Sequence, residues 1–277
     1  MGSSIRCCLL ILLVVTAAVV ADAETYWIAA VAHNSGVGDS TWRSDVGVLN
    51  LCESDAVVEM LLHSDDAVFR ESFVVPAGEQ RIFQDVVALL ASGNHAGALE
   101  LRSDLGVTVT SRTYNQTPLG TYGQSIDGIT AADGLAAGAV VYLQQLSEDV
   151  GARTNIGALN MGGTAAEVAV TLFDRLGSQV GTFELEIPPG ETVQDNRPYR
   201  RRFSRTDIVG GVARVEVLSG DAVFPYGSVV ANETDAPTTI LSQPAAECGA
   251  DIAGELGAME GLTVPEIATE HEGYRYF

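Results

Sequence analysis

Arg43-Ser44-Asp45-Val46-Gly47-Val48-Leu49-Asn50 returns 110 residues later as Arg153-Thr154-Asn155-Ile156-Gly157-Ala158-Leu159-Asn160. Arg, Gly, Leu and Asn recur identically, and the positions between them are chemically similar. A period this long is too large for a small solenoid unit and suits tandem domains. The segments that follow keep the register. Ala56, Val58, Met60 and Leu62 alternate with Val57, Glu59 and Leu61, and Ala166, Val168, Val170 and Leu172 alternate with Glu167, Ala169, Thr171 and Phe173. Side chains on a strand point to opposite faces in turn, so the first set of each copy can face a core.

Working outward, Phe73-Val74-Val75-Pro76-Ala77-Gly78 matches Leu185-Glu186-Ile187-Pro188-Pro189-Gly190, a strand closing in a Pro/Gly turn in both copies. Gly97-Ala98-Leu99-Glu100-Leu101 matches Gly211-Val212-Ala213-Arg214-Val215. There Leu99, Leu101, Ala213 and Val215 are expected inside, with Glu100 and Arg214 on a solvated outer face. The Pro225-Tyr226-Gly227 stretch predicts a bulge or an edge position. Ile82 through Leu90 has helical spacing, whereas Asp195 through Phe203 reads as a polar loop.

A single sheet would leave one apolar face wet, and two sheets packed face to face bury both. The fold expected is all-β: two tandem antiparallel β-sandwich domains, immunoglobulin-like and related by internal duplication. They are expected at residues 24–115 and 138–240, with a connector at 116–137 and an acidic tail or linker at 241–277.

The composition narrows the function classes. The 277 residues are 47% hydrophobic, enough for a core. Acidic residues number 36 against 15 basic ones, for a net charge of −21, which argues against nucleic acid as a partner. There is no lysine, so Schiff-base and Walker-type lysine chemistry is excluded.

Residues 1–23, MGSSIRCCLLILLVVTAAVVADA, read as a secretory signal peptide cleaved after Ala23. No later stretch is long and apolar enough for a membrane helix. The expected location is secreted, periplasmic or cell-surface. Cleavage removes Cys7 and Cys8 and leaves Cys52 and Cys248, candidates for one disulfide in an oxidising compartment; two separate thiols are the competing reading.

The stretches YWIAAVAHNSG, WRSDVGVLN, VVPAGEQRIFQDV and VTVTSRTYN, with ARTNIGALN, EIPPGETVQDN and PYGSVV in the second copy, resemble a family of exported bacterial tandem β-sandwich repeat proteins of poorly defined function. The resemblance implies an exported scaffold and assigns no activity. A more distant similarity links these repeats to the β-sandwich of sensory-rhodopsin transducers. His271-Glu272-Gly273-Tyr274-Arg275-Tyr276-Phe277 is similar to the opening of some secreted serine aminopeptidases. That likeness implies an N-terminal accessory region of a longer hydrolase.

No catalytic residue is expected. The chain lacks a G-x-S-x-G elbow, and Ser125 beside Asp127 does not make a triad. His33, His63 and His95 lack compact zinc spacing, so ordinary hydrogen-bonded histidines are expected. The acid pairs Glu53/Asp55 and Asp65/Asp66 read as charged turns rather than Ca²⁺ ligands. No metal or cofactor site is therefore assigned.

Arg43 and Arg153 are expected to hold a carboxylate or a loop carbonyl at a domain corner, and Asn50 and Asn160 to arrange the turns that follow. Arg200, Arg201, Arg202 and Arg205 form a basic patch that is a candidate partner contact. Trp27 and Trp42 form no stacking platform in sequence and are candidates for the first core. The function expected is a structural or adhesive binding module facing an unidentified macromolecule, a protein or a surface glycan.

Overall fold

A computed structural model describes residues 24–36, 40–64, 67–118 and 120–245. The signal segment, Asp65, Asp66, Cys248 and the 271–277 stretch lie outside the described residues. The chain is all-β, and both sandwiches fall within one compact unit, Met1–Pro244. No helix among the described residues is long and apolar enough to cross a membrane.

In the first sandwich, one layer holds β1 (Glu24–Ser35), β3 (Ala56–Ser64), β4 (Ala67–Val75) and β6 (His95–Ser103), ordered β4-β3-β6-β1. The other holds β2 (Thr41–Leu49), β5 (Gln80–Phe83), β7 (Thr108–Thr117) and β8 (Gly120–Asp127), ordered β5-β2-β7-β8. The two layers join where Asn34 pairs with Trp42 and Ser35 with Thr41. A short helix α1 (Val86–Leu90) follows β5.

The second sandwich has β9 (Val140–Glu148), β11 (Ala166–Phe173), β12 (Gln179–Ile187), β14 (Ile208–Ser219) and β17 (Gln243–Pro244), ordered β12-β11-β14-β9-β17. Facing it are β10 (Ala152–Asn160), β13 (Thr192–Asn196), β15 (Val223–Ala231) and β16 (Pro237–Leu241), ordered β13-β10-β15-β16. Helix α2 (Pro198–Phe203) follows β13. Apart from β17, the strand order is that of the first sandwich, position for position.

The alternation that predicts the strands also fills the cores. Ala56, Val58, Met60 and Leu62 are fully buried in one core, and Ala166, Val168, Val170 and Leu172 in the other. Burying one side chain of Leu size contributes about 1.5–3 kcal/mol. Asn50 and Asn160 then lock the corners. Asn50 Nδ2 donates to Ser54 O at 2.8 Å and Val75 O at 3.0 Å, and its Oδ1 accepts the Cys52 N–H at 2.9 Å. Asn160 does the same with Thr164 O (2.7 Å), Ile187 O (3.0 Å) and the Gly162 N–H (2.9 Å). Each amide thus ties its own turn to the Pro/Gly turn, where Gly78 (φ 69) and Gly190 (φ 76) take the left-handed backbone that glycine allows.

Several expectations are corrected. Ile82 is in β5, because Phe83 pairs with Val46 and enters the core, so the helix begins only at Val86. Residues 198–203 are helical rather than a loop: Pro198 sits at the first turn, and Tyr199 is fully buried, donating to Phe173 O at 3.1 Å. Much of the 116–137 connector is strand β8, which pairs with β7 from Thr110↔Asp127 to Thr117↔Gly120. As an edge strand it is mostly exposed and buries only Ile126, so it lacks an apolar alternation. β15 runs unbroken between two neighbours; Pro225 pairs with β10 alone, because the pairing with β16 starts at Tyr226. β17 extends strand structure into the region read as tail.

Glu100 is also corrected: it is 5% exposed and not solvated. The outer face of the β6/β1 layer is covered. Trp27, Ala29 and Ala98 there form one apolar seam with Leu159, Met161, Ala222 and Tyr226 of the second sandwich. Trp27 therefore anchors the contact between sandwiches rather than the first core. Thr192 Oγ1 adds a 2.5 Å bond to Ala29 O.

Candidate functional site: the cleft between the sandwiches

Beside the apolar seam the two sandwiches leave a cleft of about 410 Å³. β1 and β2 contribute Asn34 and Trp42, and β8 contributes Gln124. From the second sandwich come Arg153 and Asn155 on β10, Gln194 and Asn196 on β13, Arg197, and Tyr226 and Ser228 on β15. The strand register explains this set. Outward residues of β10 and β13 lie side by side, as Asn155 pairs with Asn196 and Gly157 with Gln194. Gly157 leaves room for Tyr226, since a Cβ there would meet the tyrosine ring at 2.9 Å.

The lining is rich in amides and hydroxyls and includes two aromatics, Trp42 and Tyr226. Tyr226 donates to Gln194 Oε1 at 3.3 Å, and Ser228 donates across the cleft to Gln124 Oε1 at 3.3 Å. Trp42 is half-buried and lies against Gly36, where an added Cβ would come within 2.3 Å of the indole nitrogen. Burial pushes the Tyr226 hydroxyl pKa upward, so it stays a neutral donor.

The residues singled out in sequence scatter. Arg43 holds the Asp85 carboxylate at 3.1 Å and Trp42 O at 2.6 Å, and His33 meets the same carboxylate at 2.8 Å. Arg153 bonds Asp235 at 2.5 Å and Asn232 at 3.2 Å, and it lines the cleft as well. In the basic patch, Arg202 pairs with Asp195 and lies 4.3 Å from the Phe183 ring centroid, while Arg205 pairs with Asp207 at 2.7 Å. Arg200 and Arg201 are exposed and have no ion-pair partner among the described residues.

Cys52 carries a free thiol directed at Gly106 O, 3.6 Å away. His63 binds Glu100 at 2.9 Å and stacks on Trp27 at 5.3 Å; His95 bonds Ser64 and Ser92 O. Burial acts to raise the Glu100 pKa, but bonds from His63 and Arg102 outweigh it and hold the carboxyl below its ordinary value. Asp55 accepts the Ala77 N–H at 3.0 Å, as a turn residue does. No group of three or more metal-binding side chains occurs among the described residues.

Sequence reading passed over Glu148 and Arg197. Glu148 ends β9 at 3% exposure, and burial pushes its pKa up to about 7, against the backbone N–H groups of Arg200 and Tyr199. Its signal was a charge closing an otherwise strand-like run, VVYLQQLSE.

No family model matches the chain, and no curated protein matches it. Among solved structures, a calcium-binding mutant of Bacteroides uniformis beta-glucuronidase 2 is 8% identical, with a TM-score of 0.17, over 80% of this chain and 32% of that one. The same enzyme bound to cyclophellitol-6-carboxylate aziridine is 10% identical, with a TM-score of 0.16, over 80% and 26%. The chain spans about a third or less of that enzyme's length, and a likeness at this level carries no argument.

Proposed function

We propose that the chain is an exported, non-catalytic binding module whose ligand is a short segment of surface glycan held in the cleft between the sandwiches. The observation that carries the reading is the lining: amides and hydroxyls converge around one half-buried indole. Side-chain amides donate and accept at once, as vicinal sugar hydroxyls require, and an indole face covers the apolar side of a sugar ring. A volume of about 410 Å³ falls in the range of small-molecule clefts. Export is supported by residues 1–23, and the adhesive role by two sandwiches joined through an apolar seam.

A glycan array probed with the full chain tests this. Binding of one glycan class that falls at least tenfold in both Trp42→Ala and Gln194→Ala is the expected result. An array without hits, or binding indifferent to both changes, would remove the cleft from consideration. A second reading, an accessory region of a secreted hydrolase, is supported by the 271–277 stretch; a peptidase domain encoded downstream of Phe277 would favour it.

A further inference from the structure

The end of the second sandwich beside α2 brings apolar tips and free arginines together. β9 and β11 flank β14 and run antiparallel to it, so both finish where β14 begins: Glu148 pairs with Ile208, and Phe173 with Val212. The turns that follow, at 149–151 and 174–178, therefore leave the sheet side by side, two strand spacings or about 10 Å apart. Each carries an apolar side chain. Val150 is 95% exposed and Leu176 80%, the highest values of any large hydrophobic among the described residues. Val209, which pairs with Ser147 beside the first turn, adds a third at 57%. Single exposed apolar side chains are ordinary, but a group of them at one end of a sandwich marks a contact surface.

Arginines surround these tips. Arg175 lies on the second turn against the start of β14, where a Cβ added to Gly210 would stand 3.8 Å from its own Cβ. Arg200 and Arg201 are on α2, which the Arg200 N–H ties to Glu148 at the foot of the first turn. All three are exposed and make no side-chain hydrogen bond or ion pair among the described residues. Most acids at this end are engaged. Asp195 pairs with Arg202, Asp207 with Arg205 and Asp235 with Arg153. Asp149 and Asp174 each turn one oxygen onto two backbone N–H groups of their own turns, Glu148 is buried and attracted by Arg197, and Glu233 is exposed on the β15–β16 turn. The first sandwich shows that the frame does not require this arrangement. Its β3–β4 connection carries Asp65-Asp66 in sequence, and α1 (VVALL) has no charge.

We propose that this end docks on an anionic lipid bilayer, with Val150 and Leu176 entering the boundary between headgroups and acyl chains and Arg175, Arg200 and Arg201 lying against lipid phosphates. A soluble polyanion would engage the arginines and leave the apolar tips in water. A bilayer surface takes both, because its headgroups carry the charge and its acyl boundary accepts apolar side chains. The chain's net charge of −21 does not prevent the contact, since at physiological ionic strength charges are screened beyond about 8 Å. None of these five residues lines the cleft, so the proposal goes beyond the glycan reading and stands without it.

The test is co-sedimentation with lipid vesicles at physiological salt, using residues 24–277 so that the apolar run before them does not itself enter the bilayer. Vesicles of equal parts phosphatidylglycerol and phosphatidylcholine should bind the chain, and phosphatidylcholine alone should bind it at least tenfold more weakly. Arg200→Ser with Arg201→Ser should lower the affinity roughly twentyfold, since each charge near the surface contributes about fivefold. Val150→Ser with Leu176→Ser should lower it at least tenfold on the same vesicles. All four positions are exposed, so the Tm of both variants should match the parent's. A second measurement needs no loss of binding: bromine-labelled acyl chains should quench the emission added in Leu176→Trp and leave that of Trp27 and Trp42 in the parent unchanged. Trp42→Ala should bind vesicles as the parent does, which keeps failure of the glycan reading separate from failure of this one. No sedimentation with the anionic vesicles, or binding that either double variant leaves undiminished, overturns the proposal. Equal binding to soluble polyphosphate by the parent and the Val150/Leu176 variant would overturn it in favour of a polyanion.

Discussion

Asp85 and Arg197 stand at the same place in their two sandwiches with opposite charge. Each follows a short strand, β5 or β13, and opens the helix after it: Asp85 O accepts the Leu89 N–H at 3.1 Å, and Arg197 O accepts the Arg201 N–H at 2.8 Å. Both backbones are left-handed, with φ 47 and φ 58. Asp85 forms an ion pair with Arg43 and a hydrogen bond with His33, whereas Arg197 faces two cavities. Asp85→Asn keeps a residue that tolerates this backbone but loses the charge, and the pairs are partly exposed, so a loss of about 1 kcal/mol is expected. Asp85→Val adds the strain of a β-branched residue at positive φ and should cost about 2 kcal/mol more. Urea unfolding of both variants measures the difference; equal losses would show that the backbone is unstrained there.

The corner amides give a second prediction. Asn160→Ala strands the buried Ile187 carbonyl and removes the bonds to Thr164 O and the Gly162 N–H, so a loss of about 2–3 kcal/mol is expected. Asn50→Ala should lose a similar amount in the first sandwich. Asn160→Asp should be no rescue, since a carboxylate cannot donate to Thr164 O or Ile187 O. Denaturant midpoints decide the matter, and a midpoint shift worth under about 1 kcal/mol would contradict the clamp.

Trp27 predicts how the sandwiches part. It is 6% exposed, sits in the seam with Met161 and Tyr226, and stacks on His63. Trp27→Ala should cost about 3–5 kcal/mol while leaving both cores closed, because neither core contains it. The expected signature is two unfolding transitions by calorimetry where the parent shows one. A single transition at lower temperature would mean that the two cores unfold together without the seam.

Two carboxyls give opposite pH slopes. The folded pKa of Glu148, about 7, lies above its ordinary value of 4.5. Between those values the folded chain binds more protons than the unfolded one, so stability falls as pH rises from about 4.5 through 7. The burden is absent below that window and complete above it, on the order of 3 kcal/mol. Glu100, held below its ordinary value by His63 and Arg102, contributes stability that is present above the unfolded pKa and lost as pH falls through the folded one. Glu148→Gln should flatten the descent toward alkaline pH; Glu100→Gln should remove the stabilisation at neutral pH. Unfolding curves across this range, with the parent's slope retained in Glu148→Gln, would speak against a buried titrating carboxyl at β9.

By itself the sequence determined the parts whose signal is local or repeats in register. Period-two alternation in residues 56–62 and 166–172, the Pro/Gly turns at Gly78 and Gly190, and the paired Asn50 and Asn160 all follow from geometry along one strand or across one corner. Tertiary structure alone decided what the outer faces do. Glu100 reads as a solvated charge until the second sandwich covers its layer, and Trp27 reads as core until Met161 and Tyr226 meet it. Strand β8 hides from an alternation test because an exposed edge places no demand for apolar residues on either face. Glu148, Arg197 and the cleft are assembled from strands far apart in the chain, and only packing determines which charge finds a partner and which is left facing a cavity.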